Sequence, residues 1–323
     1  MKVLIVWVLS AVSALAAVTD YDKLRDTVRD LTVDSSTVRS VSGVLIENGL
    51  ITIGLEEGTI AYLKSVQGKR IGMVFKGTGV VSFQPNLVTE QTNLERFTDA
   101  ASFNAEFTDA TFLCLDDKLT SLFNDLPLGG SAEGLAKIAS KHWGSLVMSS
   151  PEDELDEAVA RTMLNHTSSR VFFSRLEKKD LLDVYAMVNP FEQEPYRLAI
   201  SKAPKVSVPH LTMVSQCPDP ETSGLSTDDG VDPGDIIRNI QHTATIDIER
   251  SLDLTGIDRI DMEVISDSVM WFDLGLYPTL IIDSIRLAGY PTLEFHRAKE
   301  GFFAWVHLPK TLHRGDKLSI QVY

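Results

Sequence analysis

From Ile236 to the last residue the chain alternates apolar and polar side chains almost residue by residue, and this period constrains the fold more than any other feature. In His242-Thr243-Ala244-Thr245-Ile246-Asp247-Ile248-Glu249, the apolar Ala244, Ile246 and Ile248 fall on one side and the acids on the other. Ile260-Asp261-Met262-Glu263-Val264 repeats the design. Successive strand side chains point to opposite faces, so a period of two predicts sheets with one buried and one wet face. Residues 259–266, 279–287, 301–308 and 317–323 continue the pattern. Residues 236–323 are therefore expected to form an antiparallel β-sandwich or saddle-like domain. Its end, residues 280–323, reads as three or four short strands, and the expectation is a further domain beyond them.

Upstream, residues 203–235 break the composition with Pro204, Pro209, Pro218, Pro220 and Pro233 and with Gly224, Gly230 and Gly234. This reads as a Pro/Gly-rich linker, with an exposed loop inside one domain as the alternative. Residues 17–202 read as an α+β domain. Leu24, Val28 and Leu31 at helical spacing predict a helix at the mature N-terminus. Short apolar runs over residues 41–83, punctuated by Asn48-Gly49, Glu57-Gly58, Gln67-Gly68 and Gly77-Thr78-Gly79, predict an antiparallel meander. Asn86 is positioned to cap a helix over residues 87–97. Phe103 and Phe107 predict a second helix, followed by a strand with Phe112, Leu113 and Leu115, and residues 116–123 a third helix. Ser150-Pro151-Glu152 opens a helix that carries Leu155, Val159 and Met163 on one face. Residues 171–173, 181–188 and 196–200 return to strands. The fold class is thus α+β, mostly antiparallel β.

The N-terminus carries a targeting signal. Lys2 precedes an apolar run over residues 3–15, and Ala14-Leu15-Ala16 supplies a cleavage site before Ala17. The alternative, an N-terminal membrane anchor, meets a run shorter than the ~20 residues a bilayer requires. Residues 1–16 are read as a signal peptide, the mature chain as periplasmic or extracellular, with no stable membrane span after cleavage. Export permits a disulfide between Cys114 and Cys217; otherwise each is a lone thiol, Cys114 a buried one between Leu113 and Leu115. The net charge of −15 argues against nucleic acid or an anionic membrane surface as partner, since both require a basic patch.

The chemistry-bearing residues form no complete active site. His307 and His313 flank a turn and, with Glu294 or Asp316, are metal-ligand candidates, yet no H-x-x-x-H or H-E-x-x-H occurs. Gly130-Ser131-Ala132-Glu133-Gly134 approaches a nucleophile elbow around Ser131 but lies in a loop. Thr227-Asp228-Asp229-Gly230-Val231-Asp232 offers acids for a cation without the spacing of an EF-hand. Asn165-His166-Thr167 matches a glycosylation sequon. Alternation places Phe303, Trp305 and His307 on one face, with Phe302, Ala304, Val306 and Leu308 on the other. The aromatic face reads as a domain interface, plain core, or a platform for a glycan or peptide.

Several phrases carry a family resemblance. Ile282-Asp283-Ser284-Ile285, Trp305-Val306-His307-Leu308-Pro309, Leu312-His313-Arg314-Gly315-Asp316 and Leu318-Ser319-Ile320-Gln321-Val322-Tyr323 follow in order. They resemble the non-catalytic saddle domain of M1-type zinc aminopeptidases. Gly58-Thr59-Ile60-Ala61-Tyr62-Leu63, Gly72-Met73-Val74-Phe75-Lys76-Gly77, Glu90-Gln91-Thr92-Asn93-Leu94-Glu95-Arg96-Phe97-Thr98 and Asn189-Pro190-Phe191-Glu192-Gln193-Glu194 resemble the extension preceding that domain in exported bacterial, membrane-alanyl-aminopeptidase-like proteins. The resemblance implies a scaffold that presents one face to a peptidase domain or protein partner, with zinc only in such a downstream domain. The family's H-E-x-x-H and G-A-M-E-N motifs are absent here, so no catalytic residue or cofactor is implied within this chain. The alternative is a stand-alone secreted module that binds carbohydrate or protein through Phe303 and Trp305.

Overall fold

The glycine-punctuated segment folds into three long strands rather than many short ones. β1 (Arg39–Asn48), β2 (Ile51–Tyr62) and β3 (Gly72–Phe83) pair antiparallel in sequence order. Asn48-Gly49 makes the first turn, with Gly49 at φ 59°. Gln67 and Gly68, at φ 51° and 79°, turn the chain between Val66 and Lys69. The other two glycine sites, expected as turns, lie inside β2 and β3. Gly58 pairs directly with Gly77, where a Cβ would stand 2.3 Å and 2.1 Å, respectively, from carbonyl oxygens of the opposite strand. The register slips at Leu55/Glu57 and Lys76/Gly79. Glycine at such bulges allows close backbone approach and bends the strand.

The structure, a computed structural model, describes residues 20–149, 154–178, 182–202, 211–220, 234–248, 250, 254–298 and 301–323. The segment read as a signal peptide (residues 1–16), Ser150-Pro151-Glu152 and the acidic stretch 227–232 lie outside them.

α1 (Asp20–Arg29) precedes the meander and α2 (Val88–Thr98) follows it. Asn86 does not cap α2: Leu87 is the N-cap, with no side-chain bond, and Asn86 Nδ2 donates instead to Pro218 O at 3.4 Å. The expected second helix is β4 (Phe103–Cys114). Phe103 and Phe107 are four apart, a spacing that suits helix and strand alike; Ala105 between them joins the same core and shows the strand period. Then come α3 (Asp117–Ser121), α4 (Leu135–His142), α5 (Gly144–Val147), the two-residue strands β5 (Met148–Ser149) and β6 (Glu154–Leu155), and α6 (Glu157–Leu164). Asp156 caps α6, its carboxylate accepting the Ala158 amide at 3.0 Å. The strands β7 (Phe172–Glu177), β8 (Leu182–Val188), β9 (Tyr196–Lys202) and β10 (Leu211–Cys217) complete this half. β10 corrects the linker expectation: part of residues 203–235 is a strand paired with β9.

These strands form one antiparallel sheet in the order β1-β2-β3-β4-β7-β8-β9-β10. Both edge strands feed one apolar cluster, through Val41 and Ile46 of β1 and Val214 and Cys217 of β10, and the β1–β2 turn at Gly49 abuts the Tyr196 side chain of β9, so the sheet is rolled. Exposed edges invite mispairing, and each edge strand is met by another segment over part of its length. Ser40 N donates to Pro127 O at 3.1 Å beside β1. Glu90 of α2 accepts from Ser215 Oγ at 3.0 Å and Gln216 N at 2.9 Å on β10. The outer face of the roll packs Val74, Leu113 and Phe173 against the helices through Leu24, Val28, Leu135, Trp143, Val159 and Met163.

The second half is a two-layer sandwich. One sheet orders β11 (Ile237–Ile248), β12 (Leu254–Val264), β17 (Lys317–Val322) and β14 (Ile285–Leu287). The other orders β13 (Ser268–Gly275), β16 (Phe303–His313) and β15 (Phe295–Arg297). Ile260, Met262, Phe272, Val306 and Ile320 fill the space between them. The fold is α+β and mostly antiparallel β, as its periodicity indicates. One expectation fails: Ala244, Ile246 and Ile248 are exposed, as is nearly all of β11. β17 pairs with β12 only along Asp258–Glu263, so the distal end of the β11–β12 hairpin runs past the strand that would extend its sheet.

Candidate functional site

The densest meeting of aromatic and charged side chains lies where α1 and α6 meet the three-stranded sheet. The period of β16 builds it. Ala304, Val306 and Leu308 point into the sandwich core, which sends Trp305 and His307 to the opposite face. Cross-strand pairing sets Trp271 of β13 beside His307 and His296 of β15 beside Trp305. Trp271 and His307 stack with centroids 4.4 Å apart and planes at 5°. Tyr21, from the first turn of α1, stacks on His296 at 4.2 Å and lies 6.0 Å from Trp305. Trp305 keeps 4% of its surface exposed and Trp271 3%, and both belong to the helix-covered core of the rolled sheet. Trp305 thus lies under α1 within the chain's own core, whereas His307 is part-exposed on the Trp271 ring and Phe303, at the margin, is 38% exposed. A platform for a glycan or peptide needs open rings, and the Trp305 ring is covered.

Charge surrounds the stack. His296 Nε2 lies 3.0 Å from Glu154 Oε2 and its Nδ1 lies 3.2 Å from Asp22 Oδ1, so one imidazole bridges two carboxylates. Arg25 adds contacts at 3.2 Å to Asp22 and 3.5 Å to Glu154. Burial alone pushes the Glu154 pKa up, but hydrogen bonds from His296 and Tyr21 and the charges of His296 and Arg25 outweigh it and hold the carboxyl below its ordinary value. Burial, reinforced by Glu154, raises the Tyr21 phenol. Leu155 N donates to Tyr21 Oη at 3.2 Å, and Asp20 N donates to Glu294, which also bonds His307 Nδ1 at 3.1 Å.

At the end of α6, Asn165 acts as a strand partner. Its Oδ1 accepts from Met270 N at 2.8 Å and Trp271 N at 2.9 Å; its Nδ2 donates to Trp271 O at 2.9 Å and Arg161 O at 3.1 Å. This spans the register slip of β13 at Val269/Trp271. All four bonds available to an amide are used, so a glycan on the Asn165 sequon would break the joint. Arg161 donates to Gly234 O at 2.6 Å, Glu157 at 2.7 Å and Asp273 at 3.0 Å, with its guanidinium 5.2 Å over Phe191. The arrangement is suited to holding two units in register.

The other candidates disperse. His307 bonds Glu294, whereas His313 donates its backbone N–H to Asp316 at 2.8 Å and its Nδ1 bonds Asp267 O at 3.1 Å. Six residues along a strand separate the two imidazoles, roughly 20 Å, which corrects the metal grouping. Among the described residues no group of three or more His, Cys, Asp or Glu is placed to hold a metal ion. Ser131 is exposed, its Oγ accepting the Glu133 amide at 3.0 Å, with no histidine bonded to it among the described residues. Cys114 and Cys217 are buried free thiols, not a disulfide. They sit on β4 and β10, with β7, β8 and β9 between them in the sheet. Burial pushes the Cys114 thiol up to about 12 and raises Cys217 as well.

Alternation alone places Trp305 and His307 together; it does not join Tyr21, Glu154, His296, Trp271, Arg161 or, except as a sequon, Asn165 to them. Trp271 had a signal, since alternation over residues 268–275 sets it on the same face of its strand as Asp273. The others come from helices and loops whose convergence no local pattern encodes. No protein-family model and no curated protein matches the chain.

Proposed function

We propose that this chain is an exported, non-catalytic β-rich module of an M1 aminopeptidase-like protein, in which the sandwich serves as a fixed scaffold or substrate-side wall for a peptidase domain. The observation that carries this reading is the joint. Trp271, Trp305, Tyr21 and Asn165 lock the sandwich to the rolled sheet through side chains committed to one another. A wall that borders another domain's active site must hold its orientation, and a buried aromatic joint with satisfied amides provides that. The ordered phrases from Ile282 to Tyr323 supply the family side of the proposal. The alternative of a glycan- or protein-binding module on the Phe303, Trp305 and His307 face is weaker, because Trp305 is buried.

The test is direct. The purified chain should retain well under one zinc per molecule after exposure to zinc and desalting, and should not hydrolyse aminoacyl-arylamides. Addition of a zinc-loaded M1-type peptidase domain should give a complex on size exclusion. Stoichiometric zinc together with hydrolysis that survives purification contradicts the proposal.

A further inference from the structure

At one end of the sandwich, between β11–β12 and β13, lies a cavity of about 290 Å³. It is separate from the joint's aromatic stack, and its assignment does not rest on the scaffold reading. Ile260, Met262 and Phe272 form its buried floor, and Ile282 and Leu276 border it. The volume is near the lower end of the roughly 300–1,000 Å³ of small-molecule sites, and an apolar floor with a few convergent polar groups is their usual construction.

The polar rim is unbalanced. It holds three carboxylates, Asp235, Asp258 and Asp273, against Arg161 and His242. The Arg161 guanidinium is already held by Asp273 and Glu157 at 3.0 and 2.7 Å, so its charge is offset before a ligand arrives. His242 Nδ1 lies 2.9 Å from Asp258 Oδ2. The second oxygen, Asp258 Oδ1, is buried and accepts no hydrogen bond from any described residue. The Asp258 side chain as a whole keeps 33% of its surface exposed, which leaves its carboxylate open to a ligand cation at the rim.

We infer that this cavity binds a small organic cation, an amine on an apolar body, with the ammonium against the acidic rim at Asp258 and the body on Ile260, Met262 and Phe272. An ammonium brings hydrogen-bond donors and the charge opposite to the rim. An anion would face the acidic rim, and a neutral alcohol would supply a donor without the charge.

The test uses the full purified chain and three probes that share one body: 4-phenylbutylamine, 4-phenylbutanol and 4-phenylbutyrate, titrated by calorimetry and ligand-observed NMR. The amine is expected to bind about tenfold more tightly than the alcohol, and the acid more weakly than either. Asp258→Asn keeps the shape of the side chain, removes its charge and should erase the advantage of the amine. Leu276→Trp, at the half-buried mouth, should block all three probes while thermal unfolding stays unchanged. Equal binding of the three probes, preference for the acid, an unchanged amine affinity in Asp258→Asn, or no amine binding up to about 10 mM each overturns the assignment.

Discussion

Asn165 shows how one side chain can do the work of a strand. Truncation to alanine leaves the amides of Met270 and Trp271 and the Trp271 carbonyl without their partner. Orphaned buried groups cost about 1–3 kcal/mol each when fully desolvated; because Asn165 is only half-buried, Asn165→Ala should lose about 2–3 kcal/mol in urea unfolding. Asn165→Asp keeps the acceptor but sets an oxygen against the Trp271 carbonyl, and should be no better than alanine. A loss under about 0.5 kcal/mol for both, the range of ordinary surface changes, would show that the bonds do not form. His142 gives a pH signature. Burial first, then Arg175 and Lys141, push its pKa down to about 4, although Glu177 opposes the shift. The unfolded chain takes up that proton near pH 6.5 and the folded chain only near 4, so stability is full above 6.5 and falls as pH drops to 4. The wild type should lose roughly 3 kcal/mol more than His142→Asn over that window. Parallel stability curves for the two proteins would contradict a neutral buried imidazole.

At the scale of elements, the period of two in the chain foretold most of the sandwich: β12, β16 and β17 appear where alternation put them. It could not tell that β11, equally regular, would lie exposed along nearly all its length. Ala244, Ile246 and Ile248 share one face, but burial of that face depends on which other segments pack against it, which alternation within β11 does not encode. Phe103 and Phe107 failed for a related reason, because a spacing of four fits both periods. The glycines of residues 54–79 were legible as special positions but not as bulges, since the Gly58–Gly77 contact exists only once β2 and β3 pair. The joint was half visible: the Trp305 and His307 face follows from parity, while Tyr21, Glu154 and Asn165 reach it through tertiary packing. The contrast between β11 and β12 is measurable. Ile246→Lys and Ile248→Lys should each cost under about 0.5 kcal/mol, whereas Ile260→Ala, in the sandwich core, should cost about 2–5 kcal/mol. A large cost at Ile248 would mean that the hairpin end is covered in solution.

At the scale of the molecule, two sheets of different construction share one apolar region. Trp271 and Trp305 come from the sandwich, yet they pack with Tyr21, Trp143 and Met163 of the rolled-sheet half. This makes the chain one mechanical unit and underlies the proposed role as a fixed wall. The most direct measurement is equilibrium urea unfolding followed by tryptophan fluorescence and far-ultraviolet circular dichroism, on the wild type and on Trp305→Ala. The account predicts a single coincident transition for the wild type. For the variant it predicts two separated transitions, with the joint weakened by about 3–5 kcal/mol. Two transitions in the wild type, or a variant that still unfolds in one step at an unchanged midpoint, would contradict it.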